Sequence, residues 1–163
     1  MNKILKLSGL LLVLALASCT VKENKTMNPS GFEIKRGVNL SHWLSQEYGW
    51  EPKYTYIKKD DIRFIDSIGY DHVRIPIDEI EIWDETGKPI EAAIQHLTNC
   101  LDWCAEYKLR AIVDLHTVRA HHFNASNEGG TNTLWTDSLA QNNFVNLWAQ
   151  LSDILKKYPT DMV

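Results

Sequence analysis

The spacing of apolar and polar positions changes period several times along this chain, and the changes mark out alternating strands and helices. Residues 32–40 (FEIKRGVNL) predict a first strand with a bend at Gly37. Ile62, Ile65 and Ile68 follow at near-helical spacing, with Asp60 or Asp61 as the N-terminal cap and Gly69 as the stop. A second strand is expected over residues 72–75, halted by Pro76, whose ring removes a backbone donor. After a turn carrying Gly87, Lys88 and Pro89, the residues Ile94, Leu97, Leu101 and Cys104 make one apolar stripe. That stripe predicts a long helix over residues 91–108. The run Ala111-Ile112-Val113-Asp114-Leu115 does not alternate, and reads as a third strand (residues 110–116) buried on both faces, as in a parallel sheet. A polar loop over residues 119–136, containing Gly129-Gly130, leads to a helix from Asp137 to about Tyr158. Phe144, Leu147, Leu151 and Ile154 are its inward face and Pro159 ends it. Asp161-Met162-Val163 is read as the opening of a fourth strand.

Strand–helix alternation at roughly 35 to 50 residues per unit is the rhythm of a barrel or a doubly wound sheet. No G-x-G-x-x-G or P-loop follows any strand, which counts against the nucleotide-binding version. Arg74 and His116 stand where apolar strands give out, the position that chemistry occupies in a (β/α)8 barrel. The expected fold is therefore α/β: a partial (β/α)8 TIM barrel, its first three βα units and the start of the fourth strand. A complete barrel needs roughly 200 residues or more, so residues 32–163 are expected to form a truncated barrel domain.

The N-terminus follows a different logic. Lys3 and Lys6 precede an apolar stretch over residues 7–17, too short for the roughly 20 residues that span a bilayer, and Leu16-Ala17-Ser18-Cys19 comes next. This reads as an export signal (residues 1–18), and the L-A-S-C sequence resembles a bacterial lipobox, with lipid attached to Cys19. Ordinary signal cleavage near Ala17 or Ser18 is the other reading. Residues 19–31, polar and without periodicity, read as a tether. An exported, membrane-anchored lipoprotein of the periplasm or cell surface is the expected setting.

Composition adds three points. A net charge of −4 gives no reason to expect a nucleic-acid partner. Six Trp and six Tyr supply aromatic faces able to stack on sugars or to fill a core. His96, Cys100 and Cys104 share one helical stripe and could in principle offer metal ligands. The two cysteines also lie on an apolar face with Leu97 and Leu101, so burial as small hydrophobes is expected, with no metal and no disulfide.

Three segments carry a resemblance. Arg36-Gly37-Val38-Asn39-Leu40-Ser41-His42-Trp43-Leu44, then His72-Val73-Arg74-Ile75-Pro76, then Asp114-Leu115-His116 resemble the first three strands of glycoside hydrolase family 5, the cellulase and glucanase group. The resemblance runs from Phe32 to Val163. It implies a retaining hydrolase of β-linked polysaccharide, of endo-β-glucanase type, with no cofactor. It further implies that Arg74 hydrogen-bonds the catalytic nucleophile and that His116 lines the sugar site. The family's acid/base Glu, in an Asn-Glu-Pro sequence at the end of the fourth strand, would come just after Val163, and the nucleophile Glu ends the seventh strand. Neither is in this chain, so the fragment alone is expected to be inactive.

The residue types make physical sense without the family. A retaining glycosidase works with two carboxyl groups about 5 to 5.5 Å apart, and an Arg fork beside the nucleophile favours its ionised form. A surface ion pair for Arg74 and a satisfied core histidine for His116 are the plainer readings. Asn39, His42 and Trp43 leave the first strand on the same barrel face. His121, His122, Asn124, Asn132 and Trp135 follow the third strand, a mixture suited to sugar hydroxyls and a stacking platform. Substrate contacts are thus expected from His116, Asn39, His42, Trp43, His121, His122 and Trp135. The three histidines raise a metal-dependent hydrolase as an alternative, but no H-E-x-x-H spacing supports it and no metal is assigned. Glu47, Asp78, Glu79, Glu81, Glu128 and Asp137 are read as solvated acids. A second alternative is a non-catalytic, surface glycan-binding lipoprotein.

Overall fold

A computed structural model of the chain describes residues 31–46, 53–122 and 132–163. The signal sequence, Cys19 and all of the tether but Gly31 lie outside the described residues, as do Glu47, Asn124, Glu128 and the Gly129-Gly130 pair. Among the described residues no helix is long and apolar enough to cross a membrane.

The elements are β1 (Gly37–Asn39), a 3-10 turn (Lys53–Thr55), α1 (Lys59–Ser67), β2 (His72–Asp78), α2 (Glu79–Ile82), α3 (Glu91–Glu106), β3 (Arg110–Thr117) and α4 (Ser138–Leu155). The three strands form one parallel sheet in the order β1-β2-β3. Consecutive strands are neighbours and no strand order reverses, which is how a barrel begins and not how a doubly wound sheet is built. The fold is a partial (β/α)8 barrel.

Local chemistry explains the helix ends. Asp60 and Asp61 sit in the first turn of α1, and the Asp61 carboxylate accepts from Lys58 N at 2.8 Å. Gly69, at φ 83, takes the left-handed position after it. The Asp137 carboxylate accepts from Leu139 N at 2.8 Å and starts α4. Ile62 and Ile65 of α1, with Leu97, Leu101, Cys100 and Cys104 of α3, are buried in one core with Val73, Ile75 and Ile77 of β2. Ile68, expected on the same stripe, is half exposed past the helix end.

The strands depart from the sequence reading in four places. Strand β1 is only three residues long: the amides of Lys35 and Arg36 donate to Asp71 Oδ1, at 3.2 and 3.0 Å, and not to a ladder. Strand β2 does not stop at Pro76 but runs on to Asp78. Leu40 N donates to Arg74 O and Asp78 N donates to Leu44 O, so the even-numbered backbone groups of β2 face the β1 side. Pro76 therefore presents its missing N–H where β1 has already ended, and the β2–β3 ladder loses nothing. Ile112 to Leu115 are half-buried, not enclosed, because β3 is the sheet edge among the described residues. Asp161-Met162-Val163 forms no strand, although Ala111 N donates to Met162 O at 2.8 Å, which holds the segment against that edge.

Gly37 faces His72 across the β1–β2 pair, and a Cβ there would lie 2.2 Å from the imidazole Nε2. Gly37→Ala is expected to cost about 1–3 kcal/mol of stability, read from denaturant unfolding. His72→Ala in the same chain should recover part of the loss.

Candidate active site

In a strand, alternate side chains share a face. Val73, Ile75 and Ile77 point at the helices, so Arg74 points the other way, with Asn39 beside it in register and Asp114 paired to Pro76. Asp114 and His116, two residues apart on β3, join them on this open face. Arg74 lies mid-strand, not at the end of β2. Asp114 is two register positions further on, about 6.6 Å along the strand, a span that the long Arg side chain covers.

The polar groups converge there. Arg74 Nη1 donates to Asn39 Oδ1 at 2.7 Å, and Nη2 donates to Asp114 Oδ2. His116 Nδ1 lies 3.2 Å from Arg74 Nη2 and 3.1 Å from Asp114 Oδ2. On the far side of the ring, Gln46 Nε2 is 3.5 Å from His116 Nε2. About a third of the Arg74 and Asp114 side chains is exposed, so the pair contributes about 1 kcal/mol or less to stability. Its significance is positional.

The loop after β1 is held by a buried acid. His42 and Gln46 both have left-handed backbones, at φ 57 and 62, a conformation that costs about 1–3 kcal/mol each outside glycine. Asp78, 0% exposed, accepts from Gln46 N through Oδ2 at 2.8 Å, while its own N–H donates to Leu44 O at 2.8 Å. Trp43 and Leu44 are plugged into the core between these points.

This placement corrects several expectations. Trp43 is 1% exposed and its indole N–H donates to Lys53 O at 3.1 Å, so it offers no face to a sugar. The apolar burial that the strained loop needs outweighs a stacking role. Asp78 is an internal anchor, not a solvated acid. Glu79 pairs with Arg119, Glu81 with Lys53, and Asp137 caps α4. His42 is exposed. His121 bridges back to Val118 through its backbone, and its half-buried ring meets Trp135 edge-on at 5.9 Å. Trp135 itself is 74% exposed. The His122 amide donates to Asn132 Oδ1 at 2.8 Å, which closes the described part of this loop. Cys100 and Cys104 are buried free thiols, and the hydrogen bond with Cys104, together with burial, pushes the Cys100 thiol up. No group of three or more His, Cys, Asp or Glu side chains among the described residues is placed to hold a metal.

Two residues of the cluster were not singled out from the sequence. The i, i+2 spacing of Asp114 and His116 on one strand was a usable signal. Gln46 had none, since its position depends on a left-handed turn. A separate cleft of about 350 Å³ lies between Thr86-Gly87, the Glu79–Arg119 pair and α4, and none of Asn39, Arg74, Asp114 or His116 lines it.

A parallel sheet in barrel order, with an Arg–Asp–His cluster on its open face, defines this as a partial (β/α)8 barrel with a polar site built across its strands. Residues 23–163 match the family model described as cellulase (glycosyl hydrolase family 5), and the chain belongs to that family. The match begins inside the segment read as a tether. Endoglucanase C of Acetivibrio thermocellus is 34% identical over 123 residues, covering 73% of this chain and 35% of that protein. Cellodextrinase A of Ruminococcus flavefaciens is 31% identical over 121 residues, with the same coverage, 73% and 35%. The chain thus spans about a third of the length of these relatives. A crystal structure of a glycoside hydrolase superposes with a TM-score of 0.68 at 23% identity, covering 80% of this chain and 39% of that one.

Replacing Asp78 with Ala is expected to lower stability by about 1.5–3 kcal/mol and to speed amide exchange at Gln46 more than at β2. Equal exchange rates at Gln46 in the substituted and unsubstituted chains would show that the loop is held by other means.

Proposed function

We propose that this chain supplies the first three strand–helix units of a retaining glycoside hydrolase that cleaves β-linked polysaccharide, of endo-β-glucanase type. The convergence of Asn39, Arg74, Asp114 and His116 on the open sheet face, in a chain of glycosyl hydrolase family 5, carries the reading. Relatives that are an endoglucanase and a cellodextrinase support a β-glucan as the substrate class.

Arg74 is the residue that supports the nucleophile. Nη1 and Nη2 are already aimed by Asn39 and Asp114, so the guanidinium is held without help from a substrate. A fork fixed in this way favours the ionised form of a carboxylate brought beside it and adds geometry to the attraction. His116, Asn39 and His42 present polar groups to sugar hydroxyls. His121 packs edge-on against Trp135, whose exposed ring suits the apolar face of a pyranose, and His122 adds a polar group from the same loop. The two catalytic glutamates belong to later strands, so hydrolysis requires chain beyond Val163. Cys19 carries a lipid that holds the protein at a bacterial membrane, in the periplasm or at the cell surface.

Cellotetraose is expected to perturb the tryptophan fluorescence of this chain, with Trp135→Ala weakening binding at least tenfold and Trp43→Phe leaving it unchanged. Reducing-sugar release from β-glucan should be absent for this chain. It should appear when strands bearing the two glutamates are appended, and Arg74→Ala in that longer protein should lower kcat/KM by two or more orders of magnitude. Binding without any activity in the extended protein would favour a glycan-binding lipoprotein instead. Cys19→Ala should move the protein from the membrane fraction to the soluble fraction; unchanged partitioning would leave only an ordinary export signal.

A further inference from the structure

We infer that Asp114 is a positioning residue that holds neutral His116 as its Nδ1–H tautomer and so makes Nε2 a hydrogen-bond acceptor. An ionised carboxylate only accepts hydrogen bonds, and a guanidinium only donates them. His116 Nδ1 lies between one of each, 3.1 Å from Asp114 Oδ2 and 3.2 Å from Arg74 Nη2. With a proton on Nδ1, both His116 and Arg74 donate to the same carboxylate oxygen, and every group is satisfied. Without it, the Nδ1 lone pair opposes a carboxylate lone pair at 3.1 Å, relieved in part by the second N–H of Arg74 Nη2, whose first goes to Asp114. The ring's other side agrees. Gln46 Nε2, a donor, faces His116 Nε2, which suits a lone pair there and not a second N–H.

The same carboxylate therefore sets two directions at once: it aims the Arg74 fork and it assigns the polarity of the imidazole. On the glycan reading above, which this inference deepens, Nε2 accepts a hydrogen bond from a sugar hydroxyl, which displaces the long 3.5 Å Gln46 contact. The site would then discriminate against a ring position that carries hydrogen or a methyl ether in place of the hydroxyl.

Long-range ¹H–¹⁵N NMR of this chain at about pH 8, where an ordinary imidazole is neutral, reads the tautomer directly. His116 should show a protonated Nδ1 and a lone-pair Nε2. Asp114→Ala should convert it largely to the Nε2–H form that imidazole prefers in water, while Asp114→Asn, which keeps an acceptor oxygen, should retain Nδ1–H. Gln46→Ala should leave the tautomer as it is. An Nε2–H signal in the unsubstituted chain overturns the inference. So does an unmoved Nδ1–H in Asp114→Ala, or a switch caused by Gln46→Ala. Should Asp114→Ala fail to fold, the unsubstituted, Asp114→Asn and Gln46→Ala spectra still decide. Cellotetraose added to the unsubstituted chain should shift the Nε2 resonance. An Nδ1–H tautomer with no response to the sugar supports the role of Asp114 and counts against the glycan reading.

Discussion

One guanidinium links all three strands of the sheet. Arg74 projects from the central strand β2, takes Asn39 of β1 on Nη1 and Asp114 of β3 on Nη2, and has His116 within 3.2 Å. Backbone ladders alone set the spacing of parallel strands, but they leave side chains on the open face without mutual constraint. Here the fork geometry of Arg makes the polar positions of three strands depend on each other. Lysine, a point charge on a flexible stem, would satisfy one neighbour at a time.

That arrangement needs a second constraint, on the loop after β1. A chain leaving β1 must turn back over the sheet, and it does so through left-handed residues at His42 and Gln46. Burial of Trp43 and Leu44 on one side and the Asp78 carboxylate on the other offset the strain. Asp78 is the last residue of β2. The strand that carries Arg74 thus also anchors the segment that places Gln46 beside His116.

The periodicity of the sequence made the larger elements legible. Ile62 and Ile65 of α1, Leu97, Leu101 and Cys104 of α3, and Leu147 and Leu151 of α4 lie in the core as their spacing predicts, while Ile68 falls past the end of α1. The end of β2 was not legible, because whether Pro76 breaks a strand depends on which side its missing N–H faces, and that depends on where β1 stops. Trp43 was misread for a related reason: a tryptophan in a loop after a strand serves a core or a ligand equally well until the turn geometry is known. Three of the acids read as solvated are not. Asp78, Glu79 and Glu81 found partners far away in sequence, from Gln46 to Arg119 and Lys53, and composition carries no trace of such pairings. Arg74 and His116 stood out because a charge and an imidazole interrupt apolar strands. Asp114 interrupts one too, yet it was absorbed into the reading of a buried strand.

The chain enters the domain at the opposite end of the sheet from the polar cluster. Lys35 and Arg36 give their amides to Asp71, the residue just before β2, and the His72 ring closes on the same carboxylate at 2.7 Å. The His72 hydrogen bond, ahead of the two amides, holds that carboxyl down at about 2, well under the ordinary value of about 3.9. The stabilisation is complete above the ordinary carboxylate range and is lost progressively as pH falls from there through about 2. Tension on the chain ahead of Lys35 would pull on this end of the sheet, across charge-assisted bonds that neutral or mildly acidic surroundings leave intact. Such tension would load the clasp before it disturbed Arg74.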